Sequence, residues 1–179
     1  SLGAALRYED FSEFGDSVNG KLSALYKPTA YSSVYLMAAS SKAPPGSSFT
    51  VSGNVNSAQN PIYDPQETLT TEVGGKLDLF RGKLGLTAAL FRSEVKNEVE
   101  QDPVDLTWSQ SGKKRVQGVE LGATGELARN WMLSAGYLYM DTNVEAGRLL
   151  TANGENQLTY TPKQSFTLWT SYQLPMGLK

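Results

Sequence analysis

The densest positive cluster in this 179-residue chain is Lys113-Lys114-Arg115. Adjacent cations attract anions, and arginine can also hydrogen-bond their oxygens in a fixed fork. Shortly before the cluster stand two carboxylate pairs, Glu98/Glu100 and Asp102/Asp105. Such pairs can do acid–base work or hold a hard cation through oxygen. They fall in an expected loop, where acidic side chains are ordinarily solvated, so neither role is favoured. The sequence has no histidine and no cysteine. That removes Ser–His–Asp and Cys–His arrangements, thiolate metal sites and disulfides. Ser52-Gly53-Asn54 and similar stretches lack a phosphate-loop pattern. The chain is therefore expected to bind rather than to catalyse. Its net charge of −2, with no basic block, points away from nucleic acid.

The elements that carry these residues read as strands. Hydrophobic residues make up 40% of the chain and charged residues 19%, so it is not compositionally disordered. No run approaches the roughly 18 consecutive apolar residues of a membrane-spanning helix. Strand-like segments are expected at 2–9, 20–27, 31–41, 69–79, 83–97, 113–127, 131–143 and 163–174. Several exceed the usual soluble strand of about 5–6 residues and suit a tilted membrane strand of about 9–11. Tight turns are expected at Lys27-Pro28-Thr29-Ala30, Phe80-Arg81-Gly82 and Ala128-Arg129-Asn130. The connections at 10–19, 42–68, 98–112 and 144–162 are expected to be long loops, rich in Ser, Asn, Gly, Pro and Gln. Short and long connections alternate, the pattern of an antiparallel up-and-down transmembrane β-barrel.

Alternation within strands agrees. Val119, Leu121, Ala123 and Leu127 share one face of their strand, against Gly118, Glu120, Gly122, Thr124 and Glu126. Phe166, Leu168, Tyr172 and Leu174 oppose Ser165, Thr167, Ser171 and Gln173. The fit is imperfect, since Trp169, Met132, Leu138 and Met140 fall on the polar face. Tyr26, Tyr31, Phe80 and Trp131 crowd the tight-turn end, as aromatic girdles do at a membrane interface. Gly74, Gly118, Gly122 and Gly136 fall on the polar face, where close approach of another backbone or barrel curvature would explain them. Pattern alone leaves a soluble β-sandwich binding module and a passive porin-type channel open. The chain opens directly on a strand and closes as a turn begins, so it is expected to be a fragment.

Several motifs together resemble the TonB-dependent siderophore receptors of the bacterial outer membrane. They are Glu72-Val73-Gly74-Gly75-Lys76, Leu86-Thr87-Ala88-Ala89-Leu90-Phe91-Arg92, Gly112-Lys113-Lys114-Arg115-Val116-Gln117-Gly118-Val119-Glu120 and Thr161-Pro162-Lys163-Gln164-Ser165-Phe166-Thr167-Leu168-Trp169. Ala43-Pro44-Pro45-Gly46 and Asn97-Glu98-Val99-Glu100-Gln101 are similar to the Fiu/PiuA-type catecholate subgroup. The resemblance runs across nearly the whole chain. It implies that residues 1–179 supply about eight strands of a plugged barrel of about 22, without the plug domain or the final strands.

The resemblance also implies TonB-energised import of ferric siderophores. The iron(III) arrives as a siderophore complex, so no directly bound cofactor or metal ligand is required. Implied partners are the ferric siderophore, TonB through the missing N-terminal region, and the lipid and lipopolysaccharide of the outer membrane. A ferric catecholate is compact, anionic and aromatic, so its receptor needs cations and flat rings near the mouth. Lys42, Tyr63, Trp108, Lys113, Lys114, Arg115, Arg148 and Tyr160, in long loops or at their bases, are the candidates for siderophore binding. These are read from residue chemistry, since the resemblance does not fix ligand residues position by position. Glu72, Lys76, Glu120 and Glu126 are expected to face the lumen.

Overall fold

The structure, a computed structural model, describes residues 1–11, 15–43, 64–101, 108–147, 156–158 and 161–174. Among these there is no helix. Eight strands run in chain order: β1 (Leu2–Phe11), β2 (Gly15–Thr29), β3 (Ser32–Ala43), β4 (Gln66–Leu79), β5 (Leu84–Gln101), β6 (Trp108–Ala128), β7 (Trp131–Ala146) and β8 (Gln164–Tyr172). They form one antiparallel sheet in the order β1-β2-β3-β4-β5-β6-β7-β8, each strand paired with its sequence neighbour. This is the up-and-down topology expected from the alternation of connections.

Period-2 alternation gives the sheet two faces, and the register carries each face across all strands. On one face Ala4, Leu22, Leu36, Val73, Leu90, Val119 and Tyr139 follow one another along ladders of directly opposed residues or their near neighbours. Leu2, Leu6, Leu22, Leu36, Leu69, Val73, Leu90, Leu121, Phe166 and Leu168 are all exposed. Only Leu84 and Val144 are buried apolar residues among those described. A soluble sandwich would cover this face with a second layer. Here no second layer exists among the described residues, and the apolar face is the one that meets lipid. The other face, lined by Glu72, Gly74, Lys76, Thr87, Gly118, Glu120 and Gly122, faces the lumen.

The turns place residues in the left-handed region, which Gly82 and Asn130 tolerate and which the bulkier Phe80 and Arg81 adopt at a cost. Phe80 and Arg81 (φ 53° and 61°) precede Gly82 (φ 85°), and Asn130 (φ 64°) closes the β6–β7 turn. Tyr26, Tyr31, Phe80 and Trp131 are exposed at this end, as expected for a girdle. The indole N–H of Trp131 donates to Thr170 Oγ1 at 2.7 Å, fixing the ring at the rim.

The loop ends depart from the sequence expectation. Residues 10–19 are not a long loop, because β1 and β2 stay paired as far as Phe11 and Gly15. Residues 98–112 are not all loop either: β5 runs to Gln101 and β6 begins at Trp108. Ser, Asn, Gln and Gly favour turns locally, and that bias hid the strand ends. Cross-strand ladder bonds override it, helped by side chains. Asn19, nearly buried, accepts the amide of Lys42 at 2.6 Å and donates to Glu9 at 3.1 Å.

Candidate functional site

The candidate site is the loop end of the sheet. A bulge reshapes it: between the pairs Val95↔Lys114 and Glu98↔Gly112, β5 carries one residue more than β6. Asn97 takes up the extra length in the left-handed region (φ 58°), which asparagine tolerates. Gln110 secures the bulge. Its Nε2 donates to the carbonyls of Asp64 (2.5 Å) and Asn97 (3.0 Å), and its Oε1 accepts the Asp64 amide at 2.9 Å. One side chain thus ties the approach to β4 onto β6, across β5. No motif marked Gln110, and Asn97 stood only as the first residue of the Asn97-Glu98-Val99-Glu100-Gln101 stretch, with no structural role read from it; an asparagine inside an otherwise strand-like run was the available signal.

Alternation divides the Lys113-Lys114-Arg115 cluster. Lys113 and Arg115 stand on the same face as the apolar band, and both reach Glu145, at 2.6 and 2.8 Å. Lys114 points to the lumen side, where its side chain is 14% exposed and pairs with Glu98 at 2.6 Å. Glu98 is therefore a strand residue held by a cation, not a solvated loop acid as the sequence suggested. Lys42 also lies on the outer face, paired with Glu67 directly opposite at 2.7 Å. Trp108 opens β6, opposite Gln101. Tyr63, Arg148 and Tyr160 lie outside the described residues, as do Asp102 and Asp105. Four of the eight candidates thus have described side chains, and one of these four, Lys114, faces inward.

Deeper in the lumen wall, the Tyr35 hydroxyl donates to Glu72 at 2.5 Å. Glu120 lies on the same face one strand beyond β5, opposite Ala89. The Tyr35 ring covers Gly74 on the next strand, where a Cβ would overlap it. Phe91 covers Gly118 in the same way, beneath the carbonyl of Tyr139. These glycines let aromatic rings lie flat along the wall. Among the described residues no three His, Cys, Asp or Glu side chains converge to hold a metal ion.

Comparison with known proteins fits this geometry. The sequence matches the family described as TonB dependent receptor-like, β-barrel, over residues 1–178. It is 39% identical over 174 residues to the catecholate siderophore receptor Fiu of Escherichia coli O6:H1, covering 96% of this chain and 23% of that protein. It is 36% identical over 171 residues to the "Probable TonB-dependent siderophore receptor PiuA" of Acinetobacter baumannii, covering 89% of this chain and 23% of that one. The crystal structure of the ferric-catecholate import receptor Fiu from K12 E. coli superposes with a TM-score of 0.75 at 40% identity, over 89% of this chain and 23% of that chain. The chain thus spans under a quarter of the length of these relatives.

Proposed function

The chain belongs to the TonB-dependent receptor-like β-barrel family, and from that premise we propose that it forms part of the wall of a receptor importing ferric catecholate siderophores. Its place is the outer membrane of a Gram-negative bacterium. The observation that carries the proposal is the 39% identity to a catecholate siderophore receptor across 96% of the chain.

The iron enters as cargo inside its siderophore, and the protein supplies no ligand to it. Energy comes through TonB, which engages a region outside this chain. The anionic chelate meets Lys114 at the lumen side of the mouth, and Trp108, Tyr63, Arg148 and Tyr160 are the further residues whose chemistry suits it. Lys42, Lys113 and Arg115 stand on the outer face and contribute long-range attraction rather than contact. Glu72 and Glu120 give the inner wall a negative patch suited to holding a cationic segment of a plug. No catalytic step is assigned to the chain, in keeping with relatives that are receptors.

The test is tryptophan fluorescence of the intact receptor in detergent, titrated with a ferric monocatechol complex and with a ferric hydroxamate. Saturable quenching by the catecholate alone is expected. Lys114→Ala and Trp108→Ala should each weaken it about tenfold, the worth of one lost charge-assisted or stacking contact. Binding of the hydroxamate alone would overturn the ligand class and leave the barrel intact.

A further inference from the structure

We propose that Glu98 is a resident stand-in for the ligand: it occupies Lys114 until an anionic chelate takes its place, and so keeps small anions from filling the mouth. This role rests on the reading of Lys114 as a contact for the chelate, and adds a residue of opposite sign to that contact.

Register brings the acid to the cation. Were the β5–β6 ladder regular beyond Val95↔Lys114, Asn97 would lie opposite Gly112 and Glu98 would turn to the outer face. The bulge instead sets Glu98 opposite Gly112, on the lumen side, with its Oε2 2.6 Å from Lys114 Nζ. The arrangement is held against local preference. Asn97 keeps a φ of 58°, and Gln110 bonds three backbone groups of Asp64 and Asn97.

The surroundings decide what the pair can do. Lys114 lies between Val95 on β5 and the buried Val144 on β7. Its side chain is 14% exposed, and Glu98 Oε2 is closed off from solvent. An ammonium in so apolar a corner needs an anion close by. Little of it is open to a second one, so a ligand oxygen reaches Nζ by displacing the carboxylate rather than by joining it. The Glu98 side chain is the more open partner, at 28%, and is the one able to withdraw.

Displacement imposes the same cost on every anion that uses Lys114. A ferric catecholate meets it, because several charged oxygens and flat rings make further contacts. A lone phosphate has no such contacts and stays out. A neutral chelate that never engages Lys114 is unaffected.

The experiment follows tryptophan fluorescence of the intact receptor in detergent. The probes are a ferric monocatechol complex, a neutral ferric hydroxamate, and inorganic phosphate as competitor. Glu98→Gln keeps the shape and removes the charge. It should tighten the catecholate about tenfold, the worth of one charge-assisted contact no longer to be displaced, and create no binding of the hydroxamate. Phosphate in large excess should compete in Glu98→Gln and not in wild type. The competition should vanish in Lys114→Ala/Glu98→Gln, which assigns it to Lys114. Asn97→Val, whose branched side chain disfavours the left-handed region, should move the ladder toward regular pairing and reproduce both effects. Asn97→Gly, which accepts that region, should reproduce neither. Unchanged or weaker catecholate binding in Glu98→Gln, or phosphate competition already present in wild type, would overturn the proposal. If Glu98→Gln does not assemble, Asn97→Val carries the same test. If wild type binds the hydroxamate and not the catecholate, the ligand class is wrong. Direct calorimetry of phosphate binding to Glu98→Gln and wild type then still decides whether Glu98 shields Lys114.

Discussion

Ala88 and Ala89 are adjacent in β5 yet are expected to respond oppositely to one substitution. Ala88 lies on the outer face between Gly75 and Leu121. Along its strand the nearest charged residues are Arg92 and Lys83. At about 3.3 Å per residue and a tilt of about 40°, they lie roughly 10 and 13 Å away along the membrane normal. Ala88 is therefore close to the midplane, where lysine costs roughly 2–4 kcal/mol. That is a factor of roughly 30 to 900 in the folding equilibrium. Reaching up toward the Arg92 row recovers some of it and places the result at the lower end. Ala89 opens on the lumen between Gly74 and Glu120. Ala89→Lys gains an exposed carboxylate neighbour worth about 0–1 kcal/mol. The assay is urea unfolding of the intact receptor in lipid vesicles, followed by tryptophan fluorescence. Ala88→Lys should lower stability by at least about 2 kcal/mol more than Ala89→Lys. Equal losses, or the reverse ranking, would refute the assignment of the two faces.

Gly118→Ala should cost about 1–3 kcal/mol in the same assay, because its Cβ would press on the Tyr139 carbonyl and the Phe91 ring. Gly20→Ala meets only ordinary contacts, the nearest being Leu6 at 3.5 Å, and should stay within about 0.5 kcal/mol of wild type. Tyr35→Phe removes the bond to Glu72 and should cost about 1–2 kcal/mol, with Tyr35→Leu costing more because it also uncovers Gly74. Glu145 lies beyond the apolar band, and Lys113, then Arg115 and Arg92, hold its carboxyl below the ordinary range against a smaller opposing effect of burial. Its stabilising contribution is therefore complete above the ordinary carboxylate pKa and is lost as pH falls through the lowered one. In Glu145→Gln that part of the acid dependence of the unfolding midpoint should disappear.

The fold was legible because a barrel wall repeats one rule. Each strand alternates faces, so Val119-Glu120-Leu121-Gly122 states its own orientation without reference to the rest of the chain. The tight turns were legible because Gly82 and Asn130 occupy backbone regions that few residues accept. The loop ends were less so: in β2, Asp16-Ser17-Val18-Asn19 reads as loop by composition, and only pairing with Tyr8 and Glu9 makes it strand. The candidate site was the least legible part. Lys113, Lys114 and Arg115 look like one cluster along the chain, and alternation sends them to two different environments. Counting out from Val119, alternation in the expected 113–127 strand already separates Lys114 from Lys113 and Arg115; what it could not give is their partners, Glu98 beyond the bulge and Glu145 on β7. Lys42 presents the same difficulty, since its outward direction is set by Glu67, distant in sequence and directly opposite in the sheet.

The bulge at Asn97 acts as a parity switch. Below it, odd-numbered residues of β5 such as Ala89 and Val95 face the lumen; just above it, Glu98 takes that side and meets Lys114. One extra residue in β5, followed by one extra in β6 between Gln110 and Gly112, has exchanged inside for outside without moving any residue in the lipid zone. The membrane-embedded part of the strand and its loop end can therefore vary on separate terms. Insertions or deletions above Gln110 and Asn97 re-address side chains at the mouth, while Leu84, Leu86, Ala88 and Leu90 keep their place against the bilayer.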